Sequence, residues 1–156
     1  MRICVAHLIC ASLTFANGPP FIPGCTDNQL SATSSGGSAM GNTYRRVTLT
    51  NVSSIECRLA GPPRVEQYDK HGRRTKTAPE WPANSLAAGE GARSLALAPA
   101  RWAVFEIHTL SSTGYDPGRN CGVRLAILLP QSRKSVITFP VESCGPVRIS
   151  GYLPGP

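Results

Sequence analysis

Ser38, Glu106, His71, His108 and the cysteines are the side chains of this chain whose chemistry could serve catalysis or metal binding. A serine hydrolase needs a nucleophile on a strained turn, a histidine beside it and an acid to orient that histidine. Ser38 lies in Gly36-Gly37-Ser38-Ala39-Met40, which lacks the second glycine of the Gly-x-Ser-x-Gly elbow, so the segment reads as a flexible linker. Glu106 and His108 stand two apart, which on a strand places an acid and an imidazole on one face. No third group is evident, and a solvated edge or a single ion pair is the simpler reading. Structural zinc sites bring cysteines in close pairs, whereas Cys25, Cys57, Cys121 and Cys144 are tens of residues apart. We expect no catalytic residue, no metal and no cofactor.

Binding chemistry is easier to see. Arg64, Lys70, Arg73, Arg74 and Lys76, against Glu66 and Asp69, give one short segment a net charge of +3. Long-range attraction would draw it to an anionic envelope polymer or an acidic protein. The plainer reading of a charge run is a solvated face. Nucleic acid would also require exposed aromatics among the basic groups, and only Tyr68 is near, so no nucleic-acid partner is expected. Trp81, in Pro79-Glu80-Trp81-Pro82, is a candidate platform for stacking a sugar, while Trp102 reads as core because its strand is apolar. Asn51-Val52-Ser53 fits a glycosylation sequon, but its role as a turn is sufficient.

The start of the chain bears on where these groups would work. Arg2 precedes an apolar run from Ile3 to Phe15 broken by His7, Ser12 and Thr14, and Thr14-Phe15-Ala16 places small residues where a signal peptidase cuts. The run is shorter than the ~20 apolar residues of a membrane span. Residues 1–16 are therefore expected to be a signal peptide, 17–24 an extended linker and 25–156 one domain, secreted or held in the cell envelope. Cys4 and Cys10 leave with the signal. The remaining four cysteines, in an oxidising compartment, imply two disulfides, and spacing does not choose among the three pairings. Ile22-Pro23-Gly24-Cys25 also has a small residue before a cysteine, as in a lipoprotein. Asn17 to Pro20 separates it from the apolar run, however, and acylation would strand a thiol. Without the signal, 15 basic residues face 9 acidic ones.

The elements that must position these groups are short. Gly 15 and Pro 14 are spread along the length and break up any helical bundle. Hydrophobic residues at 41% support a core, and charged residues at 16% exclude a disordered polyampholyte. Arg45 to Asn51 alternates Val47 and Leu49 with Arg46, Thr48 and Thr50, the period of a half-buried strand. A strand is expected at Leu30 to Ser34, then a loop through Ser38. Cys57 and Leu59 share a face of another strand, closed by Gly61-Pro62-Pro63. Arg64 to Asp69 and Arg73 to Thr77 read as a hairpin around Lys70-His71-Gly72. Arg93 to Ala98 and Arg101 to Thr109 read as a second pair around Pro99-Ala100, its latter arm a central strand. Tyr115 to Gly118 is a turn, and Val123 to Leu129, Val136 to Phe139 and Val147 to Gly151 complete eight or nine strands. Such a set suggests an all-β, two-sheet sandwich.

The pattern resembles the exported bacterial family called "domain of unknown function 4232", from Cys25 to about residue 153. The resemblance rests on Cys25-Thr26 with Leu30, Leu49-Thr50-Asn51 through Cys57-Arg58-Leu59 and Gly61 to Pro63, Asp69 and Gly72, Leu97-Ala98-Pro99, Cys121 before Leu125, and Cys144-Gly145. Ala100 stands where the family usually has glycine, so the turn there is expected to be built differently. The resemblance implies an immunoglobulin-like antiparallel β-sandwich and export, with no known activity. The expected pairing is Cys25 with Cys57 and Cys121 with Cys144, which closes two separate loops. The function expected is a non-enzymatic binding or structural module of the bacterial envelope or secretome. The alternative is a secreted enzyme or inhibitor with a loop-built site.

Overall fold

The computed structural model describes residues 21–39, 41–75, 94–110, 121–129, 134–143 and 147–155. The expected signal peptide, Lys76, Trp81, the turn at 115–118 and Cys144 lie outside them. The described chain is all-β, with a single 3-10 turn at Asp27–Gln29 and ten strands. These are β1 (Leu30–Ala39), β2 (Asn42–Asn51), β3 (Cys57–Ala60), β4 (Arg64–Tyr68), β5 (Ser94–Leu97), β6 (Trp102–Leu110), β7 (Gly122–Leu128), β8 (Ser135–Ser143), β9 (Val147–Ile149) and β10 (Leu153–Pro154). Among the described residues no helix is long and apolar enough to cross a membrane.

The strands form three antiparallel sheets. One holds β1, β2 and β6 in order, with β9 and β10 pairing along the far side of β6; the second is β3 with β5; the third is β4, β7 and β8. β6 is thus the central strand expected from its apolar pattern. Alternation turns Val47 and Leu49 of β2, and Ala103, Phe105 and Ile107 of β6, to one side. They share a single core with Leu59, Leu97, Val65, Leu125, Ile127, Phe139 and Val141 of the other two sheets. β5 and β8 lie against β6, and β8 also against β1. Phe105 meets Tyr152 edge to face at 6.0 Å between ring centroids, the arrangement that the ring quadrupoles favour.

Three expectations are corrected. Gly36-Gly37-Ser38 is part of β1, not a loop, and the chain turns instead between Ala39 and Asn42, with Gly41 at φ +77°. Glycine at 36 is required by close approach: its φ is +144°, and a Cβ there would collide with the Tyr44 carbonyl oxygen. Second, β5 and β6 are not a hairpin. β5 pairs with β3 and β6 with β2, so the chain crosses between sheets at Pro99-Ala100. Third, Trp102 is only half-buried. It lies on the face of β6 opposite Phe105, its ring against Gly155, where no Cβ would fit.

The crossing is held by Asn51, which is fully buried. Its Nδ2 donates to the carbonyls of Ile55 (2.8 Å) and Leu97 (2.9 Å), and its Oδ1 accepts from the Ser53 amide (3.0 Å) and hydroxyl (2.7 Å). Its backbone N–H donates to Arg101 O and its carbonyl accepts from Ala100 N. The turn that Asn51 thereby fixes holds Ala100 at φ +61°, the left-handed region. The backbone is the one a glycine would adopt, so the turn is not rebuilt; alanine is held in it.

The sulfur of Cys25 is bonded to that of Cys57, as expected, and is therefore closed to acylation. Cys25 N donates to Arg58 O, and Arg58 N to Pro23 O, so the chain preceding β1 is stitched along β3. This is the one disulfide with both cysteines among the described residues. Cys121 is also disulfide-bonded.

Two outcomes follow. Asn51→Ala leaves several buried carbonyl and amide groups unmet and should lower stability by about 3 kcal/mol in urea unfolding. Ala100→Gly should raise it by roughly 0.5–1 kcal/mol by relieving the left-handed alanine.

Candidate anion-binding surface

β4 alternates cleanly: Val65 and Gln67 are buried, and Arg64, Glu66 and Tyr68 face outward. Gln67 fixes the strand from below. Its Nε2 donates to Ser143 O (2.8 Å) at the end of β8, in space left by the missing side chain of Gly122. Its own backbone carbonyl accepts from Thr75 N (2.8 Å), which draws the chain back alongside β4. Among the described residues the expected second arm meets β4 through one bridge, from Tyr68 to Arg74, with the rest of that arm outside them, and the regular partner of β4 is β7.

Asp69 builds the tip. Its Oδ1 accepts from the backbone N–H of His71 (2.8 Å) and Arg73 (2.9 Å), and its Oδ2 from Arg73 Nε (2.9 Å). Gly72, at φ +75°, donates its N–H to Asp69 O. This is an Asx turn, in which a side-chain carboxylate replaces the partners that a tight turn cannot supply from the backbone.

Glu66 gathers the arginines. Arg74 Nη1 lies 3.1 Å and Arg64 Nη2 3.5 Å from its Oε1, while its Oε2 accepts from the Tyr68 hydroxyl at 2.7 Å. The β4–β7 register then sets Arg124 opposite Tyr68, with its guanidinium 4.7 Å from the ring centroid. That distance is a cation–π contact. The hydrogen bond to Glu66, then burial, raises the Tyr68 pKa, so the phenol stays protonated and keeps donating. Five cationic side chains are thus placed: Arg64 and Arg74 at Glu66, Arg73 at Asp69, Arg124 over the Tyr68 ring, and Lys70 exposed in the turn. Guanidinium forks carry five N–H donors each in a planar array that matches carboxylate and phosphate oxygens.

Of the residues singled out from sequence, Arg64 and Arg74 meet at Glu66, Arg73 is engaged by Asp69, and Lys70 stands exposed at the tip. Sequence reasoning missed Arg124. It is fifty residues away, in a strand that was recognised but could not be paired, and its place beside Tyr68 is set by register alone. The other candidates do not assemble a catalytic set. The Ser38 hydroxyl bonds that of Thr43 (2.8 Å), Glu106 pairs with Arg46 (2.9 Å), and His108 Nε2 bonds Asn42 Oδ1 (2.9 Å). Among the described residues there is no group of three or more His, Cys, Asp or Glu placed to hold a metal.

Fold and surface together define an all-β domain of antiparallel sheets, closed by a disulfide and carrying an arginine-rich patch organised by an aromatic ring. The family model described as "Domain of unknown function (DUF4232)" matches residues 25–153, and the chain belongs to that family. No curated protein and no solved structure matches it.

The tip has a testable acid dependence. Burial acts to raise the Asp69 pKa, but the bonds from Arg73 and His71 outweigh it and hold the carboxyl below its ordinary value. A depressed folded pKa gives stability that is present above the unfolded value, about 3.9, and lost as pH falls through the folded one. The amide resonances of His71 and Arg73 should therefore titrate below pH ~3.9. Asp69→Asn should remove that titration, and a midpoint at or above the ordinary value would contradict the assigned bonding.

Proposed function

We propose that the chain is an exported, non-enzymatic binding module of the bacterial envelope or secretome. In this reading it takes an anionic partner, an envelope polymer or an acidic protein, on the surface formed by Arg64, Arg74 and Arg124 with Lys70 and Arg73 at the tip; Lys76 continues the same run. The sheets are read as an immunoglobulin-like sandwich, and Cys121 is read as paired with Cys144. What carries the proposal is the convergence of Arg64, Arg74 and Arg124 on one Glu66–Tyr68 pair. Guanidiniums already oriented by a carboxylate or a ring lose less freedom on meeting a second anion, and their planar forks match carboxylate and phosphate oxygens.

The two carboxylates alter how the surface must be tested. Reversing Arg73 or Arg74 would set a new acid against Asp69 or Glu66 and disturb the hairpin itself. Neutralising the exposed Lys70 together with Arg64 and Arg124 leaves the Asp69 turn intact. We expect the protein to bind poly(glutamate) and polyphosphate, with affinity falling steeply as salt shortens the Debye length towards ~8 Å. The Arg64→Gln, Lys70→Gln, Arg124→Gln variant should lose at least about tenfold in affinity at low salt, with an unfolding midpoint close to the parent's. Equal binding by variant and parent at low salt would overturn the reading.

A further inference from the structure

The outer face of the five-stranded sheet, on a different sheet from the arginine surface, carries an aromatic ring fixed beside a planar polar pair. β2 and β6 are in register with Tyr44 opposite His108 and Arg46 opposite Glu106, and β1 sets Ser35 opposite Arg46. The side chains of Tyr44 and Arg46 thus leave the same face of β2 one step apart. With Ser35, Gly36, Arg45 and Glu106 they line an open depression of about 330 Å³.

Tyr44 is held flat. Its ring lies on the His108 imidazole at 4.5 Å between centroids and 5° between planes. His108 is buried and anchored through Nε2 to Asn42 Oδ1, so the support under Tyr44 does not swing away. Burial, and then the Arg148 guanidinium, lowers the His108 pKa, and the imidazole beneath the ring is neutral at neutral pH. One face of the phenol ring is thereby occupied while the residue remains 48% exposed, which leaves the other side of the ring open at the depression. Beside it, Arg46 Nη2 and Glu106 Oε1 are 2.9 Å apart. The remaining Arg46 donors and the second carboxylate oxygen of Glu106 offer donor and acceptor positions side by side.

This combination selects among ligand classes. An anion gains little here, because Glu106 already meets the charge of Arg46 and would repel a second carboxylate or a phosphate. A purely apolar ligand would bury the ion pair without satisfying it, at a desolvation cost. A pyranose meets both demands: its C–H face is weakly electropositive and suits the negative face of an aromatic ring, and its adjacent hydroxyls both donate and accept. The volume is at the lower end of ligand sites, about 300–1,000 Å³, the size of a sugar ring or two.

We propose that this depression is a subsite for a neutral sugar, in which Tyr44 stacks on the pyranose ring while Arg46 donates to one hydroxyl and Glu106 accepts from its neighbour. The site goes beyond the anion-binding reading and shares no residue with it.

The test is an NMR titration of the oxidised protein with maltotriose and with the β-linked trimer of N-acetylglucosamine. One of the two should shift the amides of Tyr44, Arg46 and Glu106 while leaving those of Glu66 and Tyr68 in place. Tyr44→Ala should weaken that binding by about tenfold or more, whereas Tyr44→Phe, which keeps the ring, should stay within about threefold of the parent. Glu106→Gln keeps an acceptor but loses its charge, and should weaken binding less than Tyr44→Ala. The Arg64→Gln, Lys70→Gln, Arg124→Gln variant should bind the sugar as the parent does, so that failure of the anion site and failure of this one can be told apart. The proposal is overturned if neither trimer moves the Tyr44 face at ~10 mM, a range generous for a single weak subsite, or if Tyr44→Ala binds like the parent.

Discussion

A chain that passes from one sheet to another must carry backbone polar groups through or beside the core, where no water can satisfy them. In this domain the buried side chain of Asn51 does so. One amide joins the end of β2, the approach to β3 through Ile55 and the end of β5 through Leu97, while the backbone of the same residue clasps the turn that opens β6. All four of its side-chain bonds lie between 2.7 and 3.0 Å. Such a fully satisfied buried network is worth more than its members taken singly, because each bond is strengthened by low dielectric and each loss exposes a partner. The sheets can share one core because this residue permits the strands to change layer.

That dependence also explains which parts of the fold could be read in advance. The alternation of Val47 and Leu49 with Thr48 and Thr50, and the apolar arm after Arg101, are local patterns that survive in the structure as β2 and the central β6. The pairing of β5 was misread because the turn signal of Pro99-Ala100 is the same whether the chain folds back beside itself or crosses over. What decides is a partner forty-six residues away, the Asn51 amide at Leu97 O, and no local signal reports it. The glycine and serine run at 36–38 was misread for a related reason. Small polar residues suggest a loop, yet here they serve an edge strand whose backbone passes too close to Tyr44 for any side chain at 36.

Charge counting shows a similar split. The basic run from Arg64 onward is where the sequence places it, but its two acids are not merely subtractions from a net charge. Asp69 is committed to a turn and Glu66 to collecting two guanidiniums and a phenol. The fifth cation, Arg124, comes from β7 through sheet register, and a linear window cannot contain it. The same holds for the first sheet, where Glu106 draws notice in sequence only for its spacing from His108, and Tyr44 and Arg46 become its neighbours only when β2 lies against β6.

Both surfaces therefore share a construction. In each, a strand's outward positions carry the polar groups, while its inward positions are given over to core packing that fixes the backbone beneath. Gln67 bonded to β8 steadies Glu66 and Tyr68 from below, and Phe105 and Ile107 do so for Glu106 and His108. An exposed arginine or tyrosine standing alone would lose much rotamer freedom on binding. Here that freedom is already reduced by a neighbour on the same face: Glu66 for Arg64 and Arg74, Tyr68 for Arg124, and His108 for Tyr44. Since inward and outward residues alternate, these faces can be changed by substitution without entering the core. The geometry of both faces is then set by pairs of outward side chains in strand register, which the Asn51 crossing keeps in place.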